Sequence, residues 1–255
     1  MRGPSGVVAL VLAETAVGGS AVLWLAGFWT AVKRGFFILT TAVALGAALL
    51  ATVAAGSGVD PGGQVAVALI AALSVVLGLS LSALILRWMR LGRALGLVSL
   101  PVGVAALVAL ARLVSPTFPL ALVQLLAGAA FMGAVTDGLL LGHWYLVDRR
   151  LPRDHIRRAA VLLLVAVALE VAAVLAAGFG EVPVAPSFSP LLGVGGLTTW
   201  LALGMVGATA LIAVLIRASL RGGEARAVQA ATGFFYLAVI TAFAGEMAAK
   251  VRFTA

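Results

Sequence analysis

The chain has 255 residues, of which 63% are hydrophobic and 10% are charged, and it contains no Cys. Soluble globular proteins are about half apolar and about one-quarter charged. The composition therefore excludes a soluble enzyme, a disordered chain, a disulfide-stabilised scaffold and a thiolate metal site, and it leaves an integral membrane protein. The net charge of +8 does not point to a nucleic-acid partner, because basic residues in a membrane protein orient the chain in the lipid bilayer.

Eight apolar segments are long enough to cross a bilayer, which takes about 20 helical residues. They comprise residues 6–28, 36–55, 64–86, 94–114, 120–147, 159–178, 191–216 and 228–249. The apolar runs are continuous, whereas the strands of a membrane β-barrel alternate apolar and polar residues. We therefore predict an all-α integral membrane protein, in which residues 1–255 form one polytopic bundle of eight transmembrane helices.

The basic residues predict the orientation of this bundle. Thirteen of the 17 Lys and Arg residues follow the odd-numbered segments. The other four are Arg2, Arg112, Lys250 and Arg252. Because loops rich in Lys and Arg stay in the cytoplasm, we expect an inner or plasma membrane protein with cytoplasmic odd-numbered loops and with both termini outside.

A short internal similarity suggests two halves, residues 1–118 and 119–255. The stretch from Gly27 to Arg34 matches the stretch from Gly142 to Arg149 without a gap at Gly, Trp, Val and the final Arg. Each half would contain four helices, an even number, so both halves would have the same orientation. This predicts a pseudo-two-fold axis along the membrane normal.

Four acidic residues lie inside the apolar segments, where ionisable groups are costly and commonly functional. They are Glu14, Asp137, Glu170 and Glu246. Carboxyl groups that exchange protons can support a proton path through the bilayer, so we interpret these four as its candidate residues. For Glu246 a structural ion pair with Arg112 is the alternative, because both residues lie near the same ends of their helices.

The tripeptide His143-Trp144-Tyr145 is a candidate quinone or ligand pocket, to which Tyr236 would contribute if the fifth and eighth helices adjoin. An interfacial aromatic belt explains the same residues without a ligand. The other histidine, His155, lies in a predicted loop, which argues against a bis-His haem and against a multi-His metal site. A haem held by one His and completed by Met132 or by another subunit has no further support, and no cofactor-binding motif is present.

Three functions fit these features. The first is a membrane subunit of an energy-converting electron-transfer complex, which handles quinone or protons beside redox partner subunits and is not catalytic alone. Its eight helices are similar in number to those of the quinol-handling anchor subunits of polysulfide- and nitrite-reductase-type complexes, although no motif residues match. The second is a proton- or cation-coupled secondary transporter, which parallel halves favour and which the lack of paired Pro-interrupted helices disfavours. The third is a structural or assembly subunit without chemistry.

Overall fold

The structure is a computed structural model that describes residues 3–25, 32–57, 63–115, 117–148, 151–179, 192, 194, 196–221 and 226–254. These residues form eight α-helices, each long and apolar enough to span a membrane. The predicted all-α polytopic fold is therefore confirmed. The helices are α1 (Gly3–Leu25), α2 (Arg34–Gly56), α3 (Gln64–Ile85), α4 (Met89–Val114), α5 (Phe118–Val147), α6 (Asp154–Ala177), α7 (Leu197–Ser219) and α8 (Arg226–Lys250).

Several helices extend beyond the predicted apolar segments at their charged ends. The largest extensions are five residues at the start of α4 and five at the start of α6, so Arg90, Arg93, His155 and Arg157 are helical rather than in loops. Long basic side chains can bury their stems while the charge reaches polar surroundings. A helix can therefore continue past the point where an apolar window ends. The predicted start of the seventh segment, residues 191–196, lies largely outside the described residues.

The two ends of the bundle differ in composition. The backbone N–H of Gly3 donates to the carbonyl of Thr254 at 2.8 Å, which places both chain ends together at what we call the terminal end. The opposite end, which we call the basic end, carries Lys33, Arg34 and Arg87 in or next to its loops. The side of the membrane that each end faces remains a prediction.

Each half has the same pattern of neighbouring helices. In the first half α1 packs on α2 and α4, and in the second half α5 packs in the same way on α6 and α8. The pairs α2–α3 and α3–α4 are repeated as α6–α7 and α7–α8. The halves meet along α1 and α5, and the flanking contacts α4–α5 and α1–α8 are also equivalent. The pseudo-two-fold axis stays a prediction, and in this arrangement it would run between α1 and α5.

The central helices α1 and α5 are parallel and in very close contact. A Cβ atom at Gly18 would lie 1.7 Å from the carbonyl oxygen of Ala129, and one at Gly133 would lie 2.3 Å from the carbonyl carbon of Gly18. Only residues without a side chain allow helix backbones in a membrane to approach this closely. Large apolar side chains on the peripheral helices, such as Leu50, Leu211 and Ile240, are exposed, as expected of a surface covered by lipid.

Candidate functional site

A buried lysine lies at the centre of the most polar part of the bundle interior. The ammonium group of Lys250, on α8, lies 2.9 Å from Oε1 of Glu14 on α1 and 2.7 Å from Oε2 of Glu246 one turn earlier on α8. It also donates to the backbone carbonyl of Gln124 on α5 at 3.2 Å. Since an ammonium group has three N–H donors, these three contacts satisfy Lys250 completely.

A third carboxyl group extends the site to α6. Glu170 is 1% exposed and interacts electrostatically with Glu246, Lys250 and Glu14. Its buried Oε2 atom has no hydrogen-bond partner among the described residues. The Gln124 amide donates to the carbonyl of Ala173, also on α6, at 3.2 Å. We call Glu14, Gln124, Glu170, Glu246 and Lys250 the Lys250 cluster. It joins α1, α5, α6 and α8.

Gly128 of α5 makes room for this cluster. A Cβ atom at position 128 would lie 2.6 Å from Oε1 of Glu14 and 2.9 Å from Oε2 of Glu246. Both distances are shorter than normal contacts, so any side chain at this position would push the carboxyl groups away from the lysine. The absence of a side chain at Gly128 therefore allows charged groups from α1 and α8 to meet against α5.

The fourth carboxyl group, Asp137, lies apart from the cluster. It is nine residues further along α5 than Gly128, which corresponds to about 14 Å along the helix axis. Its side chain is 0% exposed, and neither of its oxygens has a hydrogen-bond partner among the described residues. A Cβ atom at Gly19 of α1 would lie 3.7 Å from Oδ1 of Asp137. Asp137 thus faces the same α1–α5 seam as the cluster, but closer to the basic end.

The predicted ion pair between Arg112 and Glu246 is not formed. Lys250 is the ion-pair partner of Glu246, and it is favoured because it follows Glu246 by one turn of the same helix. Arg112 is exposed at the end of α4, where its guanidinium group lies 5.2 Å from the ring centroid of Phe118. Lys250, which the charge count had assigned to the outer side, is 1% exposed inside the bundle.

The four residues of the predicted quinone or ligand pocket are only partly brought together. Helices α5 and α8 do adjoin, and the hydroxyl of Tyr236 lies 3.5 Å from Nδ1 of His143 on the exposed surface. Trp144 instead packs on Phe36 of α2, and Tyr145 is buried and donates to the carbonyl of Pro152. Consecutive helical residues point about 100° apart, so these three side chains face three different directions.

The haem ligand pair considered above does not fit the geometry. Met132 precedes His143 by 11 residues, which is about 16 Å along α5, and is 0% exposed while His143 is exposed. One iron cannot reach both side chains. No group of three His, Asp or Glu side chains in the described ranges is arranged to hold a metal ion.

Sequence reasoning identified the carboxyl groups of the site but missed Lys250, Gln124 and Gly128. The four-residue spacing of Glu246 and Lys250 was the available signal, because residues at this spacing face each other on a helix. Nothing in the sequence marks Gln124 and Gly128 as neighbours of Glu14. Their proximity depends on the packing of α1 against α5.

Comparisons with known proteins add no further assignment: no family model matches the chain, and no curated protein or solved structure is detectably similar to it. The fold and the site define the class as a polytopic α-helical membrane protein with a buried carboxyl–ammonium cluster.

Proposed function

We propose that the chain moves protons across the membrane, with the Lys250 cluster and Asp137 as two groups of proton-exchanging residues on the α1–α5 seam. The observation that carries the proposal is the balance of buried charge. Four carboxyl groups, those of Glu14, Asp137, Glu170 and Glu246, are at most 1% exposed in the described bundle, and Lys250 is the buried ammonium group that faces three of them.

Charge balance in the bundle requires bound protons. With every group ionised, the Lys250 cluster would carry a net charge of −2 and Asp137 a further −1, in surroundings that solvate ions poorly. A carboxylate without a partner in such surroundings takes up a proton rather than remaining charged. Glu170 leads to the same inference, since its buried Oε2 atom has no hydrogen-bond partner among the described residues and an unpartnered buried carboxylate is costly.

The arrangement of these groups is suited to stepwise transfer. The cluster lies towards the terminal end and Asp137 towards the basic end, about 14 Å apart along α5. Direct transfer over that distance is impossible, so a relay requires water or a change in helix packing. The glycine-lined contact between α1 and α5 is the place where a small shift of one half against the other would alter the path.

Of the first function expected from the sequence, a membrane subunit that handles quinone or protons, this proposal keeps the handling of protons. A redox complex would use the path to couple electron transfer in partner subunits to proton movement. A secondary transporter is the second candidate, and a specific observation favours it: the cluster lies at the contact of α1 and α5, where the two predicted halves would meet, as substrate and ion sites do in transporters built from repeats. The quinone pocket stays a prediction, which rests on His143 and Tyr236.

Infrared spectroscopy tests whether the buried groups hold protons. The protonated carboxyl group has a carbonyl stretch that is separate from the carboxylate bands. We expect this signal at neutral pH in the purified protein, and we expect part of it to disappear in Asp137→Asn and another part in Glu170→Gln. The matched control is Asp154→Asn, since the side chain of Asp154 is 73% exposed. A spectrum without protonated carboxyl groups at neutral pH would contradict the proposal.

Proton movement itself is measured in liposomes that contain the purified chain and a pH-sensitive dye. A potassium diffusion potential drives the flux. We expect acidification above that of protein-free liposomes, loss of this flux in Asp137→Asn and Glu246→Gln, and normal flux in Asp154→Asn. Flux that is present in the wild type and unchanged in both site variants would remove these residues from the path. Co-purifying redox subunits would favour a complex, and solute-dependent flux would favour a transporter.

A further inference from the structure

Many buried hydroxyl groups in this bundle donate to a backbone carbonyl. In five buried helical residues it is the carbonyl four residues earlier, namely in Thr15, Ser20, Ser74, Thr209 and Thr232. The buried hydroxyl groups of Thr40, Thr41 and Thr136 have no hydrogen-bond partner among the described residues. The same is true of the indole N–H of Trp144 and of both oxygens of Asp137.

Three of these unpartnered groups lie in order along one seam. Lys33, just before α2, forms an ion pair at 2.8 Å with Asp148, just after α5, so the two helices meet at the same level at the basic end. From that level Trp144 lies about 6 Å into the bundle, Thr40 about 10 Å and Asp137 about 16 Å, at 1.5 Å per residue.

The helix faces agree with this order. Asp137 and Trp144 are seven residues apart, which places them on the same face of α5. The Trp144 ring packs on Phe36 of α2, with ring centroids 6.3 Å apart. Thr40 follows Phe36 by one turn and so shares its face of α2. Thr40 therefore lies on the Phe36 face of α2, between Trp144 and Asp137 in depth.

We propose that ordered water lies in the seam between α5 and its neighbours α1 and α2, from Trp144 past Thr40 to Asp137, and connects this carboxyl group to the basic end. Buried polar groups without protein partners are normally hydrogen-bonded to internal water, which itself needs two to four polar partners. The indole N–H, the hydroxyl and the carboxyl group supply donors and acceptors at successive depths. The inference rests on the proposed function for its purpose, because it supplies Asp137 with protons, but its test detects access to the seam rather than proton flux.

The chain contains no Cys, so each single Cys variant carries one thiol for an accessibility experiment. The probe is Ag⁺, which is close to water in size, binds thiols and does not cross hydrocarbon. Membrane vesicles with the basic end facing the medium are treated with Ag⁺, dissolved in detergent with denaturant and then labelled with a fluorescent maleimide. The variants are Thr40→Cys and Asp137→Cys, and Thr209→Cys is the matched control, since Thr209 is 0% exposed and its hydroxyl bonds Met205 and Thr241.

We expect Ag⁺ to abolish most maleimide labelling of Thr40→Cys and Asp137→Cys and to leave Thr209→Cys labelled. Protection should be slower when Ag⁺ is added from the terminal end. Full labelling of both seam variants after Ag⁺ treatment, in protein that still elutes as a folded species, would overturn the inference. If Thr40→Cys does not fold, the labelling of Asp137→Cys tests the inference, because its thiol lies at the inner end of the same seam.

The two proposals fail in different ways. A seam closed to Ag⁺ in a protein that conducts protons would reject the water path and keep proton transport. A seam open to Ag⁺ in a protein without proton flux and without protonated carboxyl groups would keep the water path and reject the proposed function.

Discussion

The bundle buries carboxyl groups in two regions that differ in how their charge is balanced. In the Lys250 cluster, two carboxyl groups contact one ammonium group at 2.9 and 2.7 Å, and a third interacts with it electrostatically. At Asp137, which is equally buried, neither oxygen has a partner among the described residues. Both regions face the contact between α1 and α5.

The comparison shows that two equally buried carboxyl groups can differ in how much they contribute to stability. Removing one member of a buried ion pair leaves the other charge uncompensated, which is strongly destabilising. An isolated carboxyl group has no ion pair to lose. We therefore expect the cluster to contribute to both stability and function, and Asp137 to function with little effect on stability.

Replacing the ammonium group should have the largest effect. Lys250→Met keeps a long side chain but leaves Glu14 and Glu246 without their cation, so we expect the free energy of unfolding to fall by about 3–5 kcal/mol. Reversible unfolding in mixed detergent micelles measures the loss. Adding Glu246→Gln to this variant should recover part of the stability, since it removes one uncompensated carboxyl group. Wild-type stability in Lys250→Met would show that the cluster is not a coupled unit.

Closing the space beside the cluster should have the next largest effect. In Gly128→Ala the new methyl group would lie 2.6 Å from Glu14 Oε1, and we expect a loss of about 1–3 kcal/mol from forced repacking. The control is Gly204→Ala, because no atom lies within 4 Å of a Cβ there. Alanine is the better helix former, by about 1 kcal/mol, so the control should be as stable as the wild type or more stable. Equal effects at the two glycines would argue against tight packing around the carboxyl groups.

The unpartnered group should show little effect on stability. Asp137→Asn removes no hydrogen bond seen in the structure, so we expect the free energy of unfolding to change by less than about 1 kcal/mol, while proton flux is lost. The same unfolding assay with Glu246→Gln provides the comparison, and this variant should be clearly less stable because it weakens the contact with Lys250. A large loss of stability in Asp137→Asn would reveal a structural partner for Asp137.

The smallest effect is expected at an ion pair outside the bundle interior. Lys33 and Asp148 are 2.8 Å apart, and the side chain of Lys33 is 72% exposed while that of Asp148 is 12% exposed, so solvent surrounds the cation of the pair. Exposed ion pairs contribute less than about 1 kcal/mol, and salt weakens them further. We expect Lys33→Met to unfold nearly as the wild type does, and we expect the small difference between them to shrink at high salt. A loss of stability as large as that in Lys250→Met would mean that the contribution of an ion pair in this protein does not depend on how deeply its lysine is buried.

The sequence was sufficient to predict the eight helices, because uninterrupted apolar runs of this length have few other structures in lipid. It was also sufficient to locate the carboxyl groups, since ionisable residues inside such runs are rare. Helix ends were less well predicted. Arg90 and Arg157 lie in the first turns of α4 and α6. A charged side chain is compatible with the helix there, but it lies outside the apolar segment from which the helix was predicted.

The arrangement of the site depends on contacts that no spacing rule provides. Lys250 lies at the end of α8 and was counted with the loop charges, although its side chain is buried against α1. The pairing of Glu246 with Arg112 was inferred from similar depth, but depth does not determine which helices are neighbours. The likeness between the two halves gave the only sequence information on helix order.

The contact between Glu14 and Lys250 has a consequence for how the protein is made. These residues are 236 positions apart in the sequence, so α1 is synthesised and enters the membrane long before α8. During that interval Glu14 has no ammonium partner, and its neutral form is the one that a lipid environment accepts. Insertion of α8 then supplies the amine of Lys250 to this carboxyl group. The contact thus pairs a carboxyl group that enters the membrane early with an ammonium group that enters it late.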